Sequence, residues 1–251
     1  MDVRLDGKIM LVTGASLGIG RAIASLAAES GARVAANYYN SAEEAKGLVD
    51  EVEGKGGECV AVRADVSREE DVIRMFGEVK DRYGDFPEIL VNNAGSMIKR
   101  SPISEMDVST WDRVMEVNLR SVFLCSREAF KSMIPKRNGV IINISSIAAY
   151  TGGGPGSGAY AAAKGAMNTM TVGMAKEVAG HNIRVVGVGP GVIDTPFHEK
   201  FTTQARREKF EGMIPLGRVG VPEDVAPLVI LLASDYASFA TGHCFYVSGG
   251  M

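Results

Sequence analysis

Cysteine is scarce in this chain. Cys59, Cys125 and Cys244 are odd in number, stand far apart and form no CxxC pair, so neither a disulfide framework nor a zinc site is expected, and the thiols read as buried. Blocks of Lys or Arg are absent too. The formal charge of -3 and pI near 5.7 give no electrostatic footprint for nucleic acid or for an anionic membrane. No apolar run approaches the roughly 20 residues that cross a bilayer, and the opening residues Met1 to Lys8 hold no apolar signal core. A soluble cytoplasmic protein is the expectation. Ser145, Ser146, Ser157 and Ser248 do not stand in GxSxG, and His181, His198 and His243 have no evident link to a nucleophile, which argues against serine hydrolysis. Repeats, linkers and low-complexity stretches are also missing. What remains is a chain of 251 residues, 46% hydrophobic, long enough to bury one sizeable core and read as a single domain over residues 1–251.

Glycine, by contrast, is abundant, and its placement is informative. Ile9 to Thr13 is a short apolar run leading into Gly14-Ala-Ser16-Leu17-Gly18-Ile19-Gly20, after which Arg21 to Ala28 reads as helix. Strand, tight turn and helix in this order form a phosphate cradle: glycines admit a ligand close to the backbone, and the helix start attracts a pyrophosphate. An ordinary glycine turn is the alternative, and the strand–helix context favours the cradle. The candidate cofactor contacts here are Gly14, Ser16, Leu17, Gly18, Ile19 and Gly20.

A second strand, Arg33 to Tyr38, ends where such folds meet the adenosine ribose. No carboxylate stands there. Asn37, Tyr38, Tyr39, Asn40 and Ser41 offer neutral hydrogen-bonding groups, which leans towards NADP(H) over NAD(H); the alternative is that they only form the turn into the next helix. Arg21 and Arg33 are the nearest cations. A helix from Glu43 to Lys55 follows. Cys59 to Ala64 is a third strand ending at Asp65 and Val66, which are placed to meet an adenine, with Ser67 and Glu70 expected to form the capping box of the next helix and so leave Asp65 free. Val72 to Tyr83 is helical in spacing. Ile89 to Asn92 is a fourth strand, stopping at Asn92-Asn93-Ala94-Gly95. The alternation implies a doubly wound parallel sheet of about seven strands with helices on both faces, whose ligands sit at the carboxyl ends of the strands.

Trp111 to Ile134 reads as one long helix whose apolar face is interrupted by Asn118, either a core amide or a group holding a water near the site. Gly139 to Ser145 is a fifth strand, apolar enough to be covered on both faces, with Ser146 at its end. Gly152 to Gly158 is a flexible connector. Beyond it, Tyr160 and Lys164 lie four residues apart on one helical face. A phenol has an ordinary pKa of about 10, and a neighbouring ammonium lowers it. Such a phenol exchanges a proton with a carbonyl or alcohol oxygen held by Ser146. A plain aromatic beside a snorkelling lysine is the bland alternative. Arg184 to Pro190 is a sixth strand, and Gly191 to Thr195 follows it. Pro190, Gly191 and Ile193 are candidates to meet the nicotinamide amide and Thr195 a phosphate, with a proline-bounded turn as the alternative. Phe197 to Met213 reads as a lid or a surface helix, Val225 to Leu232 as helix and Cys244 to Val247 as a last strand.

Together these residues resemble the short-chain dehydrogenase/reductase family over essentially the whole chain. Thr13-Gly14-x-x-x-Gly18-x-Gly20, Asn92-Asn93-Ala94-Gly95, Asn118, Ser146, Tyr160-x-x-x-Lys164 and Pro190-Gly191 occur in the family's order. The resemblance implies a Rossmann fold, NAD(P), a catalytic set of Asn118, Ser146, Tyr160 and Lys164, and a homotetramer built on the late helices and strand. It implies hydride transfer at a carbonyl carbon. In this scheme Tyr160 is the acid/base, Lys164 holds the nicotinamide ribose, Ser146 positions the substrate oxygen and Asn118 supports a proton relay. Within the family the likeness is greatest to reductases of 3-oxoacyl groups carried on acyl-carrier protein. Lys99, Arg100, Arg127 and Arg137 are candidate contacts for an acidic carrier, with plain solvated charges as the default alternative. Sugar, polyol and other alcohol dehydrogenases share the motifs, and a non-catalytic NADP sensor is the reading of another class. The Ser146–Tyr160 interval is one residue longer than usual, and Ser145 competes with Ser146 as the positioning hydroxyl.

Overall fold

A computed structural model describes residues 3–201 and 212–251, with the side chains of 198–200 left aside. Seven strands form one parallel sheet: β1 (Ile9–Val12), β2 (Arg33–Tyr38), β3 (Glu58–Arg63), β4 (Ile89–Asn92), β5 (Gly139–Ile144), β6 (Ile183–Pro190) and β7 (Cys244–Val247), in the spatial order 3-2-1-4-5-6-7. The direction of winding reverses between β1 and β4, the crevice where such sheets bind ligands.

Parallel strands require crossovers, and the helices supply them. On one face lie α1 (Gly18–Glu29), α2 (Ala42–Gly54) and α9 (Pro222–Ala233). Ile23, Ala27, Leu48 and Val229 pack there on Met10, Val12, Val34 and Ile142. On the other lie α3 (Glu69–Tyr83), α5 (Ser121–Lys136) and α7 (Gly158–Val178), where Met75, Phe76, Leu124 and Val178 cover Ile9, Leu11, Leu90 and Ile141. Alternate residues of β1 thus enter opposite cores, as a pleated strand covered on both faces demands. Burying one such Leu, Ile or Phe stabilises the fold by about 1.5–3 kcal/mol.

Three expectations are revised. The helix expected over Trp111 to Ile134 begins earlier, because the Asp107 carboxylate caps it by accepting from Thr110 N–H at 2.7 Å. It is also interrupted: α4 (Val108–Met115) passes through a π-helical turn, Glu116–Arg120, into α5. Asn118 sits in that turn. Such π-turns often mark functional sites. The Ser67–Glu70 capping box does not form, since α3 starts at Glu69 after Arg68 without a side-chain cap; Ser67 turns to Asp65 instead. Of the segment expected as a lid, only its start is described, as α8 (Pro196–Phe201), together with residues 212 and 213. The rest lies outside the described residues. No described helix is long and apolar enough to cross a membrane.

Candidate active site

The glycine loop is held from below. Thr13 Oγ1 accepts the backbone N–H groups of Asn93 at 2.9 Å and Ala94 at 3.0 Å. The Asn93 amide donates back to Thr13 O at 2.9 Å and Gly14 O at 3.0 Å. Asn93 therefore joins the loop after β4 to the loop after β1 across the switch point. Gly14 and Gly18 hold φ of +63° and +54°, the left-handed region that favours glycine. A Cβ on Gly20 would fall 2.4 Å from both Asn93 Nδ2 and Gly14 O, so only glycine fits. Leu17, at the N-cap of α1, provides no side-chain acceptor. The first N–H groups of α1 thus remain available to an anion. This donor set and the close backbone approach fit the pyrophosphate of a dinucleotide.

Several expected contacts are spent elsewhere. Asn37 is buried: its Oδ1 accepts from Gly14 N–H at 3.2 Å, and its Nδ2 donates to Val62 O and Ala64 O, each at 3.2 Å. It shapes the cradle and does not face a ribose. Asn92 likewise points into the sheet, donating to Asn143 Oδ1 at 2.9 Å and Ser126 Oγ at 3.2 Å. Asp65 is not free. Its Oδ1 accepts from Ser67 N–H at 3.0 Å and Ser67 Oγ at 2.6 Å, and its Oδ2 from Arg113 at 3.1 Å. Although burial raises the Asp65 pKa, these donors hold it below the ordinary carboxylate value. Val66 is buried in the core under α3. Gly191 donates its N–H to Val247 O at 2.8 Å, and Pro190 O accepts from Ile147 N–H at 2.8 Å. These two therefore close the sheet edge, while Ile193 is buried and Thr195 lies over Gly18, its Cγ2 3.2 Å from where a Cβ there would stand.

At the end of β2, Tyr38 is half-buried, Tyr39 and Asn40 are exposed, and Ser41 caps α2 by position alone. Neither cation named from the sequence serves this place. Arg21 binds Glu44 O at 2.9 Å and Glu51 at 2.8 Å. Arg33 sits at the amino end of its strand on Gly7 O and Tyr83 O. Arg63 had no local signal, yet it pairs in register with Tyr38 and donates to Tyr39 O at 3.3 Å.

The other four residues do converge. Lys164 is 2% exposed, and its ammonium donates to Ile144 O, the last residue of β5, at 2.7 Å. The same nitrogen stands 5.7 Å from the centre of the Tyr160 ring. Tyr160 is half-buried, with Ser146 close enough to pull its phenol pKa down and its ring 5.6 Å from that of Phe197; the Ser146 Oγ accepts from Ala148 N–H at 3.1 Å. Ser145 faces away, its Oγ donating to Lys164 O at 3.4 Å, because successive residues leaving β5 point to opposite sides. Ser146 is thus the hydroxyl at the site. Asn118, fully buried, donates to Ser96 O at 2.6 Å and Val114 O at 2.8 Å and accepts from Ser96 N–H at 3.1 Å. It ties the π-turn to the segment after β4. A Cβ on Gly95 would lie 2.9 Å from Asn118 Oδ1 and 3.4 Å from Lys164 Nζ, so this glycine keeps the space between them open. The glycine connector is anchored at one end, Ser101 N–H donating to Gly156 O at 3.0 Å and Arg100 to Pro155 O at 2.8 Å.

The charge state differs from the expectation that Lys164 lowers the phenol. Burial raises Tyr160 to about 12, with the Ser146 hydrogen bond pulling the other way. Burial lowers Lys164 to about 7. The ammonium turns to a carbonyl rather than the phenolic oxygen, and its own charge is costly in this place. Tyr160 is therefore a neutral donor at pH 7. Burial also raises Cys59 and Cys125 to about 12 and Cys244 to about 11, which leaves unreactive thiols. Cys244 is only partly buried.

A Rossmann-type sheet with a phosphate cradle at its switch point and a Ser–Tyr–Lys set beside it defines a nicotinamide-dependent oxidoreductase of the carbonyl/alcohol class. Comparison with known proteins agrees. Residues 14–251 match the family described as enoyl-(acyl carrier protein) reductase. The chain is 41% identical over 249 residues to a 3-oxoacyl-(acyl-carrier-protein) reductase of Thermotoga maritima, covering 99% of each chain. It is 39% identical over 244 residues to the enzyme of that name from Staphylococcus aureus, covering 97% of this chain and 98% of the other. Among solved structures, a 7α-hydroxysteroid dehydrogenase complexed with NADH and 7-oxo glycochenodeoxycholic acid superposes with a TM-score of 0.94 at 34% identity, over 99% of this chain and 96% of the other. A short-chain type dehydrogenase/reductase from Mycobacterium marinum gives the same four values. The chain belongs to the short-chain dehydrogenase/reductase family.

Proposed function

We propose that this enzyme is an NADP(H)-dependent reductase of 3-oxoacyl groups carried on acyl-carrier protein, with Asn118, Ser146, Tyr160 and Lys164 as its catalytic set. The observation that carries it is the geometry at the carboxyl edge of β5, where the Lys164 ammonium sits on Ile144 O at 2.7 Å and 5.7 Å from the centre of the Tyr160 ring; burial keeps that phenol protonated, which suits it to give a proton in reduction. The substrate class is supported by the full-length likeness to the two 3-oxoacyl reductases. Preference for the 2′-phosphate is supported by the neutral Tyr38, Tyr39, Asn40 and Ser41 and by Arg63, which meets no carboxylate among the described residues.

A bound nicotinamide supplies the hydride. The chain's residues do the rest: Ser146 and the phenol each offer an O–H to the substrate oxygen, and Tyr160 gives up its proton as charge develops there. Lys164, whose pKa lies near 7, is poised between charged and neutral forms, suited to passing a proton on. Asn118 fixes Ser96 and the floor of the site. A homotetramer is part of this reading, supported by the edge strand β7 and the exposed rings of Tyr150, Tyr236, Phe239 and Tyr246.

The test is oxidation of NADPH and NADH by the purified protein against acetoacetyl-carrier-protein mimics and a panel of sugars, polyols, steroids and ketones. Rapid NADPH-dependent reduction of the thioester is expected. Oxidation of a polyol or steroid with NAD would overturn substrate and cofactor while keeping the family chemistry. Tight cofactor binding without turnover would point to a sensor.

A further inference from the structure

β4 and β5 are apolar strands, yet each carries one asparagine inside the sheet, Asn92 at 3% and Asn143 at 0% exposure. They are partners in register. Asn92 Nδ2 donates to Asn143 Oδ1 at 2.9 Å and to Ser126 Oγ of α5 at 3.2 Å. Asn143 Nδ2 donates to Thr171 Oγ1 of α7 at 2.8 Å, and that hydroxyl donates onward to Met167 O at 2.9 Å. A continuous polar chain therefore runs from α5 through two central strands to α7, beneath the active site. Buried amides are costly unless satisfied, and when satisfied they specify one arrangement.

Its place in the sequence gives this chain a purpose. Asn143 immediately precedes Ile144, whose carbonyl takes the Lys164 ammonium, and stands three residues before Ser146. Asn92 immediately precedes Asn93, which pins the glycine loop. Thr171 lies two helical turns after Lys164 on the same buried face, about 10.5 Å along the axis. The stretch of α7 that bears Tyr160 and Lys164 meets the fold through Ala159, Ala161 and Ala163. Small side chains interlock little in that stretch, and farther along the helix the buried Met167, Met174 and Val178 hold it through apolar contacts that carry no direction. A hydrogen bond to a hydroxyl is directional.

We propose that the Ser126–Asn92–Asn143–Thr171 chain is a positioning device that fixes α7 against β5, so that Lys164 reaches Ile144 O and Tyr160 reaches Ser146. Thr171 and Asn143 act through those residues and touch no substrate. The inference rests on the reading of Tyr160 and Lys164 as the proton-transfer pair.

The test compares Thr171→Val, Thr171→Ser and the wild-type chain, using whichever carbonyl substrate the wild type reduces fastest. Displacement of a catalytic group by about 1 Å costs up to about 100-fold. Thr171→Val is expected to lower kcat by about tenfold or more, while the Kd for NADPH stays within about twofold of wild type and melting stays above the assay temperature. Thr171→Ser, which keeps the hydroxyl, is expected to recover most of the loss. Should the Val variant fail to fold, Thr171→Ala carries the same expectation. An unchanged kcat in the Val or Ala variant overturns the proposal. So does a joint loss of kcat and cofactor affinity that serine does not rescue, since that is general destabilisation. A wild type that reduces no carbonyl overturns instead the reading of the site on which the proposal rests.

Discussion

Lys164 makes a measurable trade between stability and chemistry. Its pKa falls from its ordinary 10.5 to about 7 through burial, so the folded state binds this proton less readily than the unfolded chain. At 1.36 kcal/mol per pH unit, the cost to the fold is about 5 kcal/mol well below pH 7, where both states are protonated. The penalty shrinks as pH rises between the two values and vanishes above about 10.5; at pH 9 about 2 kcal/mol remains. Lys164→Met removes the charge and keeps the stem. It also leaves Ile144 O, the acceptor at 2.7 Å, without its partner, which costs about 1–3 kcal/mol at every pH. The variant should thus be more stable than wild type at pH 6 by about 2–4 kcal/mol, and this advantage should shrink by about 3 kcal/mol at pH 9. Urea unfolding at the two pH values, with fixed ionic strength, measures both. The difference between variant and wild type cancels most other titrating groups. A variant less stable than wild type at pH 6, or an advantage that does not change with pH, would refute the charge state assigned to this lysine. Reductase activity should be lost in either case.

Other changes test the remaining parts of the site. Tyr160→Phe removes the proton donor and should lower kcat about 10²–10⁴-fold while the cofactor still binds, as followed by NADPH fluorescence. Ser146→Ala should lose activity, whereas Ser145→Ala, which alters only the weak 3.4 Å bond to Lys164 O, should keep it; steady-state assays decide. Gly20→Ala places a Cβ 2.4 Å from Asn93 Nδ2 and Gly14 O, so the Asn93 pin must break, and cofactor Kd should rise by at least about tenfold. Asp65→Asn weakens the contacts with Ser67 and Arg113 and should destabilise the fold by about 1–3 kcal/mol at pH 7. Because the Asp65 pKa is lowered in the fold, wild type loses the same contribution as pH falls through that value, and the two proteins should converge in acid melts.

The sequence alone determined the alternation of strands and helices, because continuous apolar runs such as Ile89–Asn92 and Gly139–Ile144 read as strands covered on both faces. It also determined the glycine cradle, since left-handed turns and close backbone approach require glycine in any context. Tyr160 and Lys164 were legible because a four-residue step on a helix fixes their common face. Tertiary structure decided the rest. Whether Asn37, Asn92 and Asp65 face a ligand or the protein depends on partners 25, 51 and 48 residues away, which no local pattern encodes. Arg63 reached the end of β2 only through strand register. The π-turn at Asn118 arose where its amide found Ser96 and Val114, a competition between helix spacing and long-range hydrogen bonding. The protonation states of Tyr160 and Lys164 were settled by burial. Sequence proximity predicts that two groups meet, but the energy of their charges depends on how much water the whole fold removes around them.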